Sequence, residues 1–176
     1  MRFLSVAILA LFSATTLFAQ SYIGADKCAK MCHKSKEKGE QYGIWKASKH
    51  AQAYATLATP VALETAKKAG VTGDPQKSEK CLKCHVTAYG VDASKIDSTC
   101  TKEQGIGCEV CHGPGSNYAK LKVMKDKKAA IEAGLVVPDE KVCVKCHNPE
   151  SPSYKKFDFA EYFKKIAHPV PKVEAK

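Results

Sequence analysis

Four short strings set the terms on which this chain can fold: Cys28-Ala29-Lys30-Met31-Cys32-His33, Cys81-Leu82-Lys83-Cys84-His85, Cys108-Glu109-Val110-Cys111-His112 and Cys143-Val144-Lys145-Cys146-His147. They use eight of the nine cysteines and four of the six histidines. Each string offers two thiols and then an imidazole, which is the attachment pattern of c-type haem. The two thiols form thioethers with one porphyrin, and the adjacent histidine becomes the proximal ligand of its iron. Two or three residues between the cysteines keep both sulfurs on one side of a helical turn.

Zinc and disulfides compete for the same residues. A structural zinc site takes four ligands and gives no reason for a histidine directly after every second cysteine. A disulfide framework of the kind common in secreted chains leaves the four histidines unexplained. The expected cofactor is therefore four covalently bound haem c. Cys28, Cys32, Cys81, Cys84, Cys108, Cys111, Cys143 and Cys146 would bind it, and His33, His85, His112 and His147 would be the proximal iron ligands.

Residues 1–19 read as a secretory signal peptide. Met1-Arg2 is basic, Phe3 to Phe18 is apolar but short for a spanning helix, and Ala19 suits cleavage before Gln20. A periplasmic mature protein follows, without stable membrane insertion. Residues 20–176 form a single tetrahaem domain with only about forty residues per macrocycle. The expected fold is mainly α with extensive irregular chain, a multihaem cytochrome c wrapped around four haems. Helices are predicted over 37–57, 60–68, 117–133 and 157–167, with a short one from Pro138 carrying the fourth motif. Thr59-Pro60 supplies an N-cap and a first-turn proline. The polar stretch 90–107 reads as a loop with at most a short strand or two.

The formal net charge is +10. Loss of Arg2 with the leader, and about −1 per ferric or −2 per ferrous haem with its propionates, brings the loaded chain to about +5 oxidised and about +1 reduced. The lysines are spread along the chain and no aromatic-basic groove interrupts them, so no nucleic-acid partner is expected. Periplasmic redox proteins are the expected partners, with the chain a monomer or weak oligomer.

Only His50 and His168 remain to serve the far sides of four irons. Both are assigned as distal ligands, and the shortfall leaves two sites for methionine, lysine, water or nothing. Met124 is a candidate thioether ligand or a core filler, and Lys122 a weaker one because an amine must first lose its proton. Cys100 is expected to be an inert thiol, and Trp45, Tyr89 and Tyr118 to pack on porphyrin faces.

The segments Cys81–Gly90 and Gly105–Ser116, together with Tyr22–Cys28 and Trp45–Ala51, resemble the tetrahaem cytochrome c-554 family, carriers that accept electrons from hydroxylamine oxidoreductase in ammonia-oxidising bacteria. On these segments the resemblance runs over nearly the whole mature chain. It implies a helical electron carrier with stacked haem pairs, mostly bis-histidine irons and one five-coordinate haem at His85, with His50 a distal ligand. Two departures stand out. The first motif has an extra residue between its cysteines, and Asn117-Tyr118 stands where relatives carry a distal histidine shortly after Gly-Pro-Gly.

Electron transfer is the expected function, with no catalytic residues and ligation, spacing and potential tuning as the protein's contribution. The alternatives are a small nitrogen-oxide reductase acting at an open iron on His85, and a conduit subunit whose haems stack across protein contacts.

Overall fold

The computed structural model describes residues 20–30 and 32–169. The signal peptide read over 1–19 and Met31 of the first motif lie outside these. Among the described residues ten short α-helices are linked by irregular chain: α1 (Ala25–Cys28), α2 (Gln41–Lys46), α3 (Ala53–Thr56), α4 (Pro60–Lys68), α5 (Glu79–His85), α6 (Cys108–His112), α7 (Leu121–Met124), α8 (Lys127–Glu132), α9 (Glu140–Cys143) and α10 (Phe159–Ile166). Among the described residues no strand forms. The loop over 90–107 contributes one parallel bridge, Tyr22 with Ile96, in place of the short strands allowed for it. The mainly α class with extensive irregular chain is what the structure shows, and among the described residues no helix is long and apolar enough to cross a membrane.

The predicted α4 forms as expected, and the Thr59 hydroxyl accepts from the Ala62 N–H at 3.2 Å. Two predicted helices are broken. The one expected over 37–57 is interrupted at Gly39 and Glu40, which take left-handed backbone angles (φ 98° and 47°). It stops again before His50, whose carbonyl accepts from the Ile106 N–H at 2.9 Å, so a long-range contact overrides helix propensity there. The helix expected over 117–133 is replaced by α7 and α8. The Asp126 carboxylate leaves the helix to cap α8, accepting from the N–H groups of Lys128 and Ala129. The last helix is trimmed from 157–167 to Phe159–Ile166, where Asp158 accepts from the Glu161 N–H.

The motif helices are neighbours: α1 packs on α6, and α6 on α9. α3 lies against α5, and the turn Pro75–Lys77 joins α4 to α5. The buried apolar residues are mostly small, with Ala25, Ala29, Ala51, Ala53, Ala66 and Ala130 prominent, and the two bulkiest fully buried side chains are Glu109 and Pro75.

Candidate functional site

The second and third motifs each lie on one helix, α5 and α6, while the first and fourth begin at the ends of α1 and α9 and finish in the turns that follow. In the fourth motif the Cys146 and His147 N–H groups both donate to the Cys143 carbonyl, at 3.2 and 3.0 Å, so the helical turn persists loosely through the histidine. Thiols from different motifs meet. Cys28 hydrogen-bonds Cys108, which with burial raises the Cys28 thiol. Burial and the nearby Cys143 push Cys111 up to about 11. Burial and Cys84 push Cys146 up to about 12. The surroundings of Cys28, Cys111 and Cys146 favour a neutral sulfur, which a thioether is, whereas the bond from Cys28 holds the Cys108 thiol below its usual range. The same contacts give an order in space: the first motif beside the third, the third beside the fourth, the fourth beside the second.

The imidazoles pair across this arrangement. His50 and His147 have ring centroids 6.0 Å apart, and His112 and His168 5.8 Å apart. A metal–nitrogen bond of about 2 Å on each side, plus about 1 Å from each nitrogen to its ring centre, separates two imidazoles on one metal by roughly 6 Å. Both pairs fit an iron held between them. His85 Nδ1 lies 2.7 Å from the Ala53 carbonyl and His112 Nδ1 3.0 Å from that of Val136. A nitrogen facing a carbonyl carries the proton, which leaves Nε2 bare for a metal. A cavity of ≈ 310 Å³ is lined by His50, His85, His147, Cys84, Cys143 and Cys146, joining the second and fourth motifs. Among the described residues, no group of three or more His, Cys, Asp or Glu side chains converges as a zinc site requires, and all nine cysteines are free of disulfides.

A family model described as cytochrome c554 and c-prime matches residues 27–113. The chain belongs to this cytochrome c554 family. Cytochrome c-554 of Nitrosomonas europaea is 35% identical over 120 residues, covering 65% of this chain and 48% of the relative. The chain thus spans about half the length of the curated relative it matches. The family match stops at Gly113, so the fourth motif and His168 lie beyond it, a narrower reach than the sequence resemblance over nearly the whole mature chain. No solved structure matches. Membership in a c-type cytochrome family implies covalent haem c, and the thiol and imidazole geometry fits that group.

Residues not singled out in the sequence hold the site together. Glu109, between the cysteines of the third motif, is buried, and its carboxylate accepts N–H bonds from Ile23 (2.8 Å), Gly24 (2.7 Å) and Gly115 (2.6 Å). A Cβ at Gly115 would crowd Glu109 Oε1 and the Ile23 side chain at 3.0 Å, so glycine suits this close approach. The Thr87 hydroxyl donates to the Gly105 carbonyl at 2.8 Å and accepts from the Gly107 N–H at 2.7 Å. With Trp45 Nε1 donating to the Ile106 carbonyl at 2.8 Å, the run Gly105–Gly107 ties together the tail of the second motif, the start of the third and the backbone at His50. Trp45 and Tyr118 thus have hydrogen-bonding roles beyond packing: the Tyr118 hydroxyl donates to the Gly113 carbonyl at 2.7 Å. Tyr89 is exposed. Burial, with Glu109 and Asp97 nearby, pushes the half-buried Cys100 thiol up to about 11, so little of it is thiolate at neutral pH.

Gln41 links the first motif to the end of the chain. Its Nε2 donates to the Lys38 carbonyl at 2.7 Å and to the Pro169 carbonyl at 2.8 Å, gripping the backbone directly after His168. With His168 as an iron ligand, as the sequence analysis assigns it, a Gln41→Leu variant is expected to raise the fraction of chains with that ligand detached about tenfold, the weight of roughly 1.4 kcal/mol for a buried amide bond. Electron paramagnetic resonance of the ferric protein would show this as new high-spin signal, and an unchanged spectrum would count against the grip.

Burial lowers the pKa of His33, His50, His147 and His168, with neighbouring imidazoles adding to the effect at His33, His50 and His168. A base whose folded pKa is lowered does not weaken the fold above its unfolded value of about 6.5, and weakens it progressively as pH falls below that. Metal ligation, which needs the neutral ring, acts in the same direction. The urea midpoint of the holoprotein is therefore expected to fall between about pH 7.5 and about pH 5. A midpoint that rose on acidification would contradict the burial of these rings.

Proposed function

We propose that this chain is a periplasmic electron carrier holding four haem c groups, joined through the cysteine pairs of its four motifs and relaying single electrons between redox proteins. Haem iron, when bound, supplies a reversible one-electron couple whose potential follows its axial ligands. The chain's part is to space, ligate and insulate. The observation that carries the proposal is the run of neighbouring thiols, Cys28 by Cys108, Cys111 by Cys143 and Cys146 by Cys84, which lines the motifs up in the order first, third, fourth, second. His112 with His168 and His147 with His50 serve the two middle positions as bis-imidazole pairs. Electrons would therefore enter and leave at the outer positions, His33 and His85.

Location outside the cytoplasm is supported by the leader-like residues 1–19 and by the attachment chemistry, which takes place there. Intact mass of the mature protein, followed by a reductive titration, tests the proposal. Four haems and four electrons per chain are expected. Fewer haems, or irons that cannot be reduced by a protein donor, would overturn it.

A further inference from the structure

The two spare histidines are spent on the middle of the row. His50 pairs with His147 and His168 with His112, which leaves His33 and His85 without a second imidazole. The family resemblance implies an open iron at His85 and none at the first motif. His33 is half-buried, and among the described residues its ring forms no pair of the 6 Å kind.

Among the described residues, each remaining candidate for the far side of the His33 iron is committed elsewhere or unsuited. After Gly113-Pro114-Gly115 the chain continues Ser116-Asn117-Tyr118, with no further histidine before His147. Tyr118 is buried beside Cys28 and Cys108, but its hydroxyl is turned back on its own turn, donating to the Gly113 carbonyl at 2.7 Å. Met124 sits half-exposed on α7, whose main packing partner is α8. Lys122 stands exposed to solvent on α7. Cys100 lies beside the Glu109 carboxylate, which opposes the thiolate that ligation needs.

We propose that the iron carried by His33 has no protein ligand on its far side and, when ferrous, binds a small neutral diatomic molecule of the class of carbon monoxide and nitric oxide. This makes two ligand-binding irons at opposite ends of the row. It rests on the four-haem arrangement proposed above, and intact mass separates the two: fewer than four haems defeats that arrangement, whereas four haems with a wrong count of open irons defeats this inference alone. Electron paramagnetic resonance of the ferric protein is expected to show two high-spin irons per chain, and the ferrous protein to take up two carbon monoxide molecules. His50→Ala and His168→Ala are each expected to add one high-spin iron, since each frees a different partner, and this assigns the original two to His33 and His85. A wild-type count of one or none overturns the inference. So does a methionine-to-iron charge-transfer band that disappears in Met124→Ala, or a count left at two by either histidine variant.

Discussion

Mature chain produced without haem attachment is expected to show no cooperative thermal transition. Among the described residues the buried apolar set is eleven residues, of which six are alanines, and the larger ones are Tyr54, Leu57, Val71, Ile106 and Tyr118. Small residues suit close approach to a flat macrocycle but bury little area for one another, and each fully buried Leu or Ile brings only about 1.5–3 kcal/mol. Ordering the backbone costs about 1–2 kcal/mol per residue, and this core leaves that largely unopposed. Val144 inside the fourth motif, Val136 and Val137 ahead of it, Tyr154 after it and Phe163 on α10 are exposed in the polypeptide alone and are natural cover for porphyrin faces. Circular dichroism of the haem-free mature chain should show low helicity and a shallow, featureless melt. A sharp transition with the helical content of the holoprotein would mean that the chain packs on itself, and would refute the wrapped architecture.

How far the sequence announces this arrangement depends on the range over which each feature is determined. Local rules suffice for α4, where Thr59 and Pro60 fix the start, and for α5 and α6, where each motif is itself a helical turn. They fail over 37–57 and 117–133, because what stops those helices is distant or competes locally. The His50 carbonyl is claimed by Ile106, fifty-six residues on, and the Asp126 side chain takes the backbone N–H groups that start α8. The count of six histidines against the eight axial positions of the four proposed haems is legible, but which of the proposed irons go short is not. That depends on α10 delivering His168 to His112 and on the turn before α3 delivering His50 to His147, contacts with no local signature. Thr87 and Gly105–Gly107 were visible as part of a family-like string; their reason, a hydroxyl bridging two glycine backbones, needed the fold.

Glu109→Leu is expected to be the most damaging single substitution outside the haem ligands. A carboxylate inside a haem-attachment string reads in sequence as a solvated helical position, yet Glu109 is 2% exposed. Its two oxygens are the acceptors for the N–H groups of Ile23, Gly24 and Gly115, so one side chain fastens the segment leading into the first motif to the turn leaving the third. Leucine fills the space but strands three buried donors, at about 1–3 kcal/mol each. A total on the order of 3–6 kcal/mol lowers the melting temperature of a chain this size by roughly 10–20 °C. Glu109→Gln keeps one acceptor oxygen and turns an NH2 group towards donors, so an intermediate loss is expected. Because α1 packs on α6 through this contact, the Cys28–Cys108 approach should loosen as well. Thermal melts followed by Soret circular dichroism, which reports the haem surroundings, would resolve both effects. If the leucine variant melts within about 2 °C of wild type, those three N–H groups have found other acceptors and Glu109 is not the clasp between the first and third motifs.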